Sequence, residues 1–368
     1  MRIRPGRLVA ALAMFGVVAG CAAPPPQLPA DAGQLVTALN AAVASGDEAA
    51  FTSLTDGEKA AGIRGWVWAN LGLLGQLTFK AGESDSLWAD WRLTGDAQAV
   101  DSQVGSISCG DSGCQVADLE PQPGAAAPIW LVQPLQVLGD DETVVLAGTD
   151  ASSGADWASA AEAARLAVSA ADLGDLGSSW NGVLVVELPQ DASAFAQLLG
   201  IASSADYTAT GAVTRVEAPS DSSQDPVAHI VVNPQTTATL TAQQKVLLLT
   251  HEGVHVATSA VPVAAGATWV SEGLAESVAV AGSPGTAADE QALAKAACGD
   301  GLTPPDDGAF GGTDAVAQNN AYAVSQVLVG LIRSHLGAAA TAAISDLWQG
   351  QSSPDVDMAA WSKAWCSG

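Results

Sequence analysis

Two of the four histidines in the chain lie four residues apart in the stretch VLLLTHEGVHVAT, which spans residues 246–258. If this stretch is helical, His251 and His255 lie one turn apart on one face and can hold one tetrahedral Zn²⁺. Glu252 follows the first histidine, where its carboxylate can act as general base toward a water on such a metal. The spacing therefore predicts a catalytic zinc helix, and the alternative is a coincidental match in an ordinary buried helix.

The residues around the two histidines favour a buried helix. Apolar residues precede His251 and are interleaved with the polar residues that follow it, and Thr241 is placed to cap the helix N-terminus. Gly253 lies in the helix interior, where glycine costs about 1 kcal/mol relative to alanine. Helix propensity therefore does not explain Gly253.

The stretch TWVSEGLAESVA, residues 268–279, supplies a candidate third ligand. HExxH followed by W-x-x-E-G-x-A resembles the gluzincin zinc metallopeptidases, in which the glutamate of the second motif binds the metal. The resemblance implies that Glu272 is the third ligand, that Zn²⁺ is the cofactor and that the substrate is a peptide or protein. A His₂Glu set with an open fourth position is typical of catalytic zinc. The matching residues of the second motif are Trp269, Glu272, Gly273 and Ala275.

Two further residues have roles that the same resemblance implies. Glu276, one turn after Glu272, corresponds to the acid that orients the first histidine, and ligating histidines usually need such a partner. A solvated helix face is its alternative, and Glu276 would replace Glu272 if Glu272 were not a ligand. Tyr322, in NNAYAVSQVLVGLIRSHLG, can donate a hydrogen bond to the developing oxyanion, or can simply pack between helices.

The other two histidines are predicted to be structural. His335 lies near the C-terminal end of a predicted helix, where a cation is favourable. His229 lies in the predicted strand AHIVVNP. We expect that strand to be the sheet edge that pairs with an extended peptide substrate.

The N-terminus predicts export and anchoring. Three arginines precede the apolar run from Leu8 to Gly20, which is too short to span a bilayer and is typical of a signal peptide. The run ends in VAGC, which resembles the lipobox of bacterial lipoproteins and implies that Cys21 is lipidated. An ordinary secretory signal is the alternative. Residues 1–20 are then the signal peptide and residues 21–30 a proline-rich tether, and the protein is held at the cell membrane, facing the extracytoplasmic side.

The remaining four cysteines predict disulfides, because they are even in number in an exported chain. Cys109 and Cys114 flank the turn-rich GDSG, so they are predicted to close a hairpin. Cys298 and Cys366 would then form the second bond, although other pairings and free thiols remain open. A thiol-based redox function is disfavoured because no C-x-x-C is present.

The acidic charge argues against nucleic acid as a partner. Removal of residues 1–20 takes away three arginines and no acids, which lowers the formal net charge from −26 to −29. The sequence makes no prediction about the oligomeric state.

The order of predicted elements indicates an α+β chain with two domains. Residues 31–150 begin with a helical pattern and continue in strand-like pieces, ending with PIWLVQPLQVLG and TVVLAG. This order resembles the NTF2-like cone fold, whose pocket sometimes binds a ligand. The tryptophans are then predicted to form its core, with a ligand-binding box as the alternative; they are Trp66, Trp68, Trp88, Trp91 and Trp130. Residues 151–368 combine a small mixed sheet, the zinc helix and a helical C-terminal part, as in a zincin-like domain.

Two hypotheses of function follow. The first is a membrane-anchored, exported zinc metallopeptidase in which Glu252 is the general base. The second is a non-catalytic lipoprotein that retains the zincin fold and binds a ligand or partner through residues 31–150. The complete set of His251, Glu252, His255 and Glu272 favours the first. The absence of an aminopeptidase-type stretch before the helix leans toward an endopeptidase.

Overall fold

The computed structural model describes residues 28–57, 59–121, 124–148, 154–311 and 314–368. The predicted signal peptide, Cys21 and most of the predicted tether lie outside the described residues. Within them the chain is a mixed α+β protein with two β-sheets.

The first sheet follows three helices. Asp31 caps the first helix by accepting a hydrogen bond from Gln34 N, and Gly46 ends it in the left-handed conformation at φ 68°. The four strands of the sheet are antiparallel and lie in chain order. The helices are α1 (Ala32–Ser45), α2 (Glu48–Leu54) and α3 (Ala60–Leu71), and the strands are β1 (Leu74–Ala81), β2 (Ser86–Leu93), β3 (Val100–Gly110) and β4 (Gly113–Asp118).

The second sheet has five strands in the order β5-β6-β7-β9-β8. Its three central strands β6, β7 and β9 are parallel, and the outer strands β5 and β8 are antiparallel to their neighbours. Central strands of this kind are buried on both faces, which explains runs such as Leu184–Leu188. The strands are β5 (Leu135–Gly139), β6 (Thr143–Gly148), β7 (Leu184–Leu188), β8 (Ala212–Glu217) and β9 (Val227–Val232).

Three sequence predictions need correction here. The predicted division at residue 150 does not separate the two sheets, because β5 and β6 precede it and pair with β7 in the second sheet. The strand of His229 is β9, which lies between β7 and β8 and is therefore not an edge. The segment PIWLVQPLQVLG is not one strand, because Ile129–Val132 forms a helical turn before β5 begins.

The remaining helices pack on the second sheet and on one another. The predicted zinc helix follows the sheet after one short helix, and Thr241 caps it with a reciprocal hydrogen-bond pair to Gln244. The helices are α4 (Ile129–Val132), α5 (Gly154–Ala170), α6 (Ala192–Leu199), α7 (Pro234–Thr237), α8 (Ala242–Thr258), α9 (Thr268–Ala279), α10 (Pro284–Ala296), α11 (Ala315–Leu336), α12 (Ala340–Trp348) and α13 (Met358–Ser367).

The tryptophans of the first sheet are mostly core residues. Trp91 and Trp130 are fully buried and pack edge to face, with ring centroids 6.2 Å apart. Trp66 and Trp68 are half-buried and pack against the same core, whereas Trp88 is half-buried and hydrogen-bonds to the Ser86 hydroxyl. These rings belong to an apolar core that the first sheet shares with residues of the second sheet, such as Leu146 and Val231.

Both predicted disulfides are present. Cys109 and Cys114 are directly opposite each other on β3 and β4, with Cα atoms 4.0 Å apart. Cys298 and Cys366 join the segment after α10 to the end of α13 across 68 residues. The second bond therefore holds the C-terminal helix against the helical part of the protein.

One apolar stretch in the described residues, Ala315–Trp348, is long enough to cross a membrane by length and composition. It consists of α11 and α12, separated by a short break at Gly337. Residues such as Leu328 and Ile332 are fully buried in the core that α11 shares with α9. Its apolar character therefore has a packing explanation.

Candidate metal centre

Helix α8 places both histidines beside a second helix that carries the predicted third ligand. Gly253 lets α8 approach closely, because an added Cβ would come within 3.0 Å of the Val168 side chain on α5. Helix α9 packs against both α8 and α11. At the α9–α11 contact, a Cβ on Gly273 would collide with the backbone carbonyl of Ser325. Both glycines that helix propensity does not favour are thus explained by close helix packing.

Three donor atoms converge between these helices. Nε2 of His251 lies 3.0 Å from Oε2 of Glu272 and 3.2 Å from Nε2 of His255, and the third distance, from His255 Nε2 to Glu272 Oε2, is 3.3 Å. Donors at 2.0–2.1 Å from a tetrahedral Zn²⁺ are about 3.3 Å apart, so the three atoms fit one coordination sphere. Among the described residues, His251, His255 and Glu272 form the group of His, Cys, Asp or Glu side chains that can hold a metal ion.

Each histidine has a partner on its other ring nitrogen. Nδ1 of His251 lies 2.8 Å from Oε2 of Glu276, in the arrangement predicted for that acid. An ionised carboxylate can only accept, so Nδ1 of His251 carries a proton, and Nε2 is the nitrogen that would bind a metal. Nδ1 of His255 contacts the hydroxyl of Ser271 at 3.3 Å. Both rings are thereby oriented toward the point of convergence.

The charges of the centre stabilise a cation. Burial opposes protonation of His251, but hydrogen bonds with Glu272 and Glu276 raise its pKa well above the ordinary value. Burial opposes ionisation of Glu272, yet the nearby His255 and the hydrogen bond with His251 lower its pKa far below the ordinary range. Burial likewise opposes ionisation of Glu276, and its hydrogen bond with His251 lowers its pKa to about 2. Glu272 and Glu276 are therefore ionised, and their negative charge favours a cation at the centre.

The convergent atoms lie at the base of an open cleft of about 410 Å³. Strand β8 forms one wall, and the loop of residues 261–263 forms another. Both walls carry half-exposed valines, with Val216 51% exposed and Val263 39% exposed. Apart from the centre itself and Glu252, the described lining residues are uncharged.

Glu252 and Tyr322 border the same cleft without joining the three convergent donors. Glu252 is buried and accepts a hydrogen bond of 2.6 Å from the Thr214 hydroxyl on β8. The Tyr322 ring on α11 packs edge-on against His251 at 5.6 Å and against Phe310 at 5.4 Å. Burial, followed by the charges of Glu272 and Glu252, raises the pKa of Tyr322, so its phenol stays a neutral donor.

The other two histidines lie away from the cleft. His229 is fully buried between Glu187 on β7 and Asp96 in the loop after β2, at 3.0 and 2.9 Å. His335 stacks flat on Trp361 of α13 at 4.4 Å. Both positions agree with a structural role.

Ser271 and Thr214 contact residues of the site and had not been singled out in the sequence. Ser271 directly precedes Glu272, and its place one residue before a proposed ligand on the same helix is a usable signal. Thr214 lies 38 residues before Glu252 on a strand without a motif, so no spacing points to it. Comparison with protein families, curated proteins and solved structures finds no match to this chain.

Proposed function

We propose that this protein is an exported, lipid-anchored zinc metallopeptidase of the gluzincin type. The observation that carries the proposal is the convergence of His251 Nε2, His255 Nε2 and Glu272 Oε2 at 3.0–3.3 Å, beside the carboxylate of Glu252. A purely structural metal site needs neither an open cleft nor a carboxylate that is not a ligand. The donor set and its surroundings therefore support catalysis rather than structure.

The residues of the cleft suit peptide hydrolysis. When bound, zinc would supply Lewis-acid polarisation of the peptide carbonyl and of the attacking water. Glu252 accepts the proton of that water and later delivers it to the leaving amine. The Tyr322 phenol donates a hydrogen bond to the oxygen on which negative charge develops. Glu276 and Ser271 hold the imidazoles in place through their Nδ1 atoms.

The edge strand β8 supports an extended peptide as the substrate. Asn233 N donates to Gly211 O, so Gly211 and every second residue after it turn their backbone groups toward β9. Ala212, Thr214 and Val216 then turn their backbone groups away from β9, and all three line the cleft. No other strand of the described residues pairs with this edge. A peptide strand can therefore add to β8 by backbone hydrogen bonds. This role had been predicted from the sequence for the strand of His229, which is β9.

The apolar walls favour an apolar side chain next to the cleaved bond. Val216 and Val263 are exposed on different walls, and burial of such side chains is worth about 25 cal/mol per Å². An open cleft also favours an endopeptidase. We infer that the part after β4 adopts a zincin-like arrangement, in which a small sheet leads into the metal-binding helix. An NTF2-like fold for the first four strands and their helices is proposed on the order of these elements alone.

The decisive experiment combines metal analysis with cleavage of a diverse peptide library. Purified mature protein should carry about one Zn²⁺ per chain, and His255→Ala should lose it. Glu252→Gln should keep the zinc and lose nearly all turnover, because the change removes the base but preserves the size of the side chain. Full zinc retention in His255→Ala would overturn the metal assignment. A wild type that cleaves no peptide would favour the non-catalytic lipoprotein instead.

A further inference from the structure

The Glu252 carboxylate is held by one side chain of the described residues, Thr214. The Thr214 hydroxyl lies 2.6 Å from Oε2 of Glu252 and 3.1 Å from its backbone oxygen. A hydroxyl has a single proton to donate, and the shorter contact, to the charged acceptor, takes it. Oε2 is therefore the restrained oxygen of the carboxylate.

The second carboxylate oxygen of Glu252, Oε1, is free to contact a water molecule. Oε1 makes no hydrogen bond with the described residues, and it is not among the buried polar atoms that lack a partner. It is therefore accessible, and Glu252 borders the cleft. The two oxygens are unequal because one is restrained and the other is open to a water molecule.

Contacts on the face of β8 opposite Thr214 hold the strand in place and so restrict the movement of Thr214. Its neighbour Arg215 is buried and bonds to Glu187 at 3.0 Å. The same guanidinium donates to the backbone oxygens of Ala127 and Leu198, at 3.0 and 2.8 Å. The edge strand is thus anchored on one face while its Thr214 hydroxyl meets the helix on the other.

We infer that Thr214 is a positioning residue for the hydrolysis proposed above. Its hydroxyl holds Oε2 of Glu252 and thereby directs Oε1 toward the attacking water. The inference rests on the proposed function, in which Glu252 is the base. Loss of the hydroxyl leaves the carboxylate free to rotate about its last bond, and a misplacement of about 1 Å in an active site can cost 10²-fold in rate.

The test compares two substitutions at one position. Thr214→Val keeps the shape of the side chain and removes the hydroxyl, whereas Thr214→Ser keeps the hydroxyl. We expect Thr214→Val to lower kcat roughly 10- to 100-fold, with KM changed less than about twofold and the zinc content unchanged. Thr214→Ser should restore kcat to within roughly threefold of wild type.

Thr237→Val is the matched control. Thr237 is also buried, and its hydroxyl also donates a single short bond, of 2.7 Å to Asn233 O, but it contacts no residue of the centre. This variant should lose some stability through the lost hydrogen bond and keep kcat unchanged. A fall of kcat in Thr214→Val but not in Thr237→Val separates positioning from general destabilisation.

Several results would overturn the inference. They are an unchanged kcat in Thr214→Val, a Thr214→Ser variant as slow as Thr214→Val, or a change confined to KM, which would make β8 a substrate contact only. Crystal structures of wild type and Thr214→Val give a readout that does not need turnover. The carboxylate plane of Glu252 should turn in the variant, and an unchanged plane would refute the positioning role. If wild type cleaves nothing, the proposed function fails, while the structures still decide the role of Thr214.

Discussion

The two proposed histidine ligands differ in how firmly a neighbouring residue orients each imidazole. Glu276 fixes His251 through a contact of 2.8 Å with a carboxylate, whereas His255 has only the Ser271 hydroxyl at 3.3 Å. Hydrogen bonds to charged acceptors are shorter and about twice as strong as neutral ones. We therefore regard His251 as the better oriented of the two proposed ligands.

Tyr322→Phe tests whether the phenol acts on the substrate. The ring should keep its packing against His251 and Phe310, because only the hydroxyl is removed. If the hydroxyl stabilises the oxyanion, kcat should fall by roughly 10²–10³, with zinc content and thermal stability close to wild type. Steady-state kinetics with metal analysis measure both effects. An unchanged kcat would leave Tyr322 as a packing residue.

Sequence spacing identified residues of the centre where helical periodicity governs position. His251 and His255 share a helix, and Glu272 and Glu276 are one turn apart on the next. Periodicity fixes which face these side chains share, so their proximity was predictable. Thr214 reaches Glu252 through the pairing of β8 with β9 and the packing of the sheet on α8, and neither leaves a local pattern in the sequence.

At the scale of elements, two close helix contacts set the distances in the centre. Gly253 brings α8 against α5, and Gly273 brings α9 against α11. These contacts fix the two helices that carry the proposed ligands. The donor distances of 3.0–3.3 Å therefore depend on residues that donate nothing themselves.

Gly273→Ala should disturb the centre without altering any proposed ligand. The added Cβ would collide with the Ser325 carbonyl of α11, so α9 must shift and carry Glu272 with it. We expect a loss of about 1–3 kcal/mol in the free energy of unfolding and weaker zinc binding. Gly330→Ala on α11 is the control, because no atom outside the local helix backbone lies within 4 Å of its Cβ position. Denaturant unfolding and zinc titration measure both variants, and equal behaviour of the two would contradict the packing explanation.

Strand order was the element-scale feature that the sequence predicted least well. The individual strands have recognisable apolar patterns, but the order β5-β6-β7-β9-β8 depends on crossovers between distant segments. The run VAHIVV of β9 is buried except for one half-buried alanine, as suits an inner strand. In β8 only Ala212 and Arg215 are buried, and the other four residues are more exposed, as suits an edge. Comparison of these two burial patterns explains why β8, and not β9, borders the cleft.

At the scale of the whole molecule, a buried ionic cluster links the two sheets. His229 bridges Asp96, from the loop after β2, and Glu187 on β7, and Glu187 also binds Arg215 on β8. Both ring nitrogens of His229 face carboxylates, so both must donate, which requires the charged imidazolium. Partners as far apart as 133 residues leave no trace in local spacing, and the cluster was not predicted.

The cluster predicts a pH dependence of stability. Burial disfavours the charged form of His229, but the charge and hydrogen bond of Asp96 and the hydrogen bond of Glu187 raise its pKa from 6.5 to about 10. Because the pKa of His229 is raised in the folded state, its charged form contributes its full stabilisation below about pH 6.5. That contribution is lost as the pH rises toward 10.

The free energy of unfolding should therefore fall between pH 7 and 10, by up to about 1 kcal/mol per pH unit more in wild type than in His229→Gln. Urea unfolding over this range measures the slope. His335→Gln, which alters an imidazole stacked on Trp361 outside the cluster, should keep the wild-type slope. Identical slopes in wild type and His229→Gln would refute the charged state of His229.

Membrane attachment is a prediction about the whole protein, and it depends on residues before the described region. If Cys21 is diacylated after removal of residues 1–20, the protein should partition with membranes, because two acyl chains anchor stably where one does not. Cys21→Ser should then give protein in the soluble fraction. A double change of Cys109 and Cys114 to serine is the control, because it removes a disulfide but leaves Cys21 in place, so the protein should stay on the membrane. If Cys21→Ser stays in the membrane fraction, the apolar run from Leu8 to Gly20 is an uncleaved anchor and Cys21 is not the attachment site.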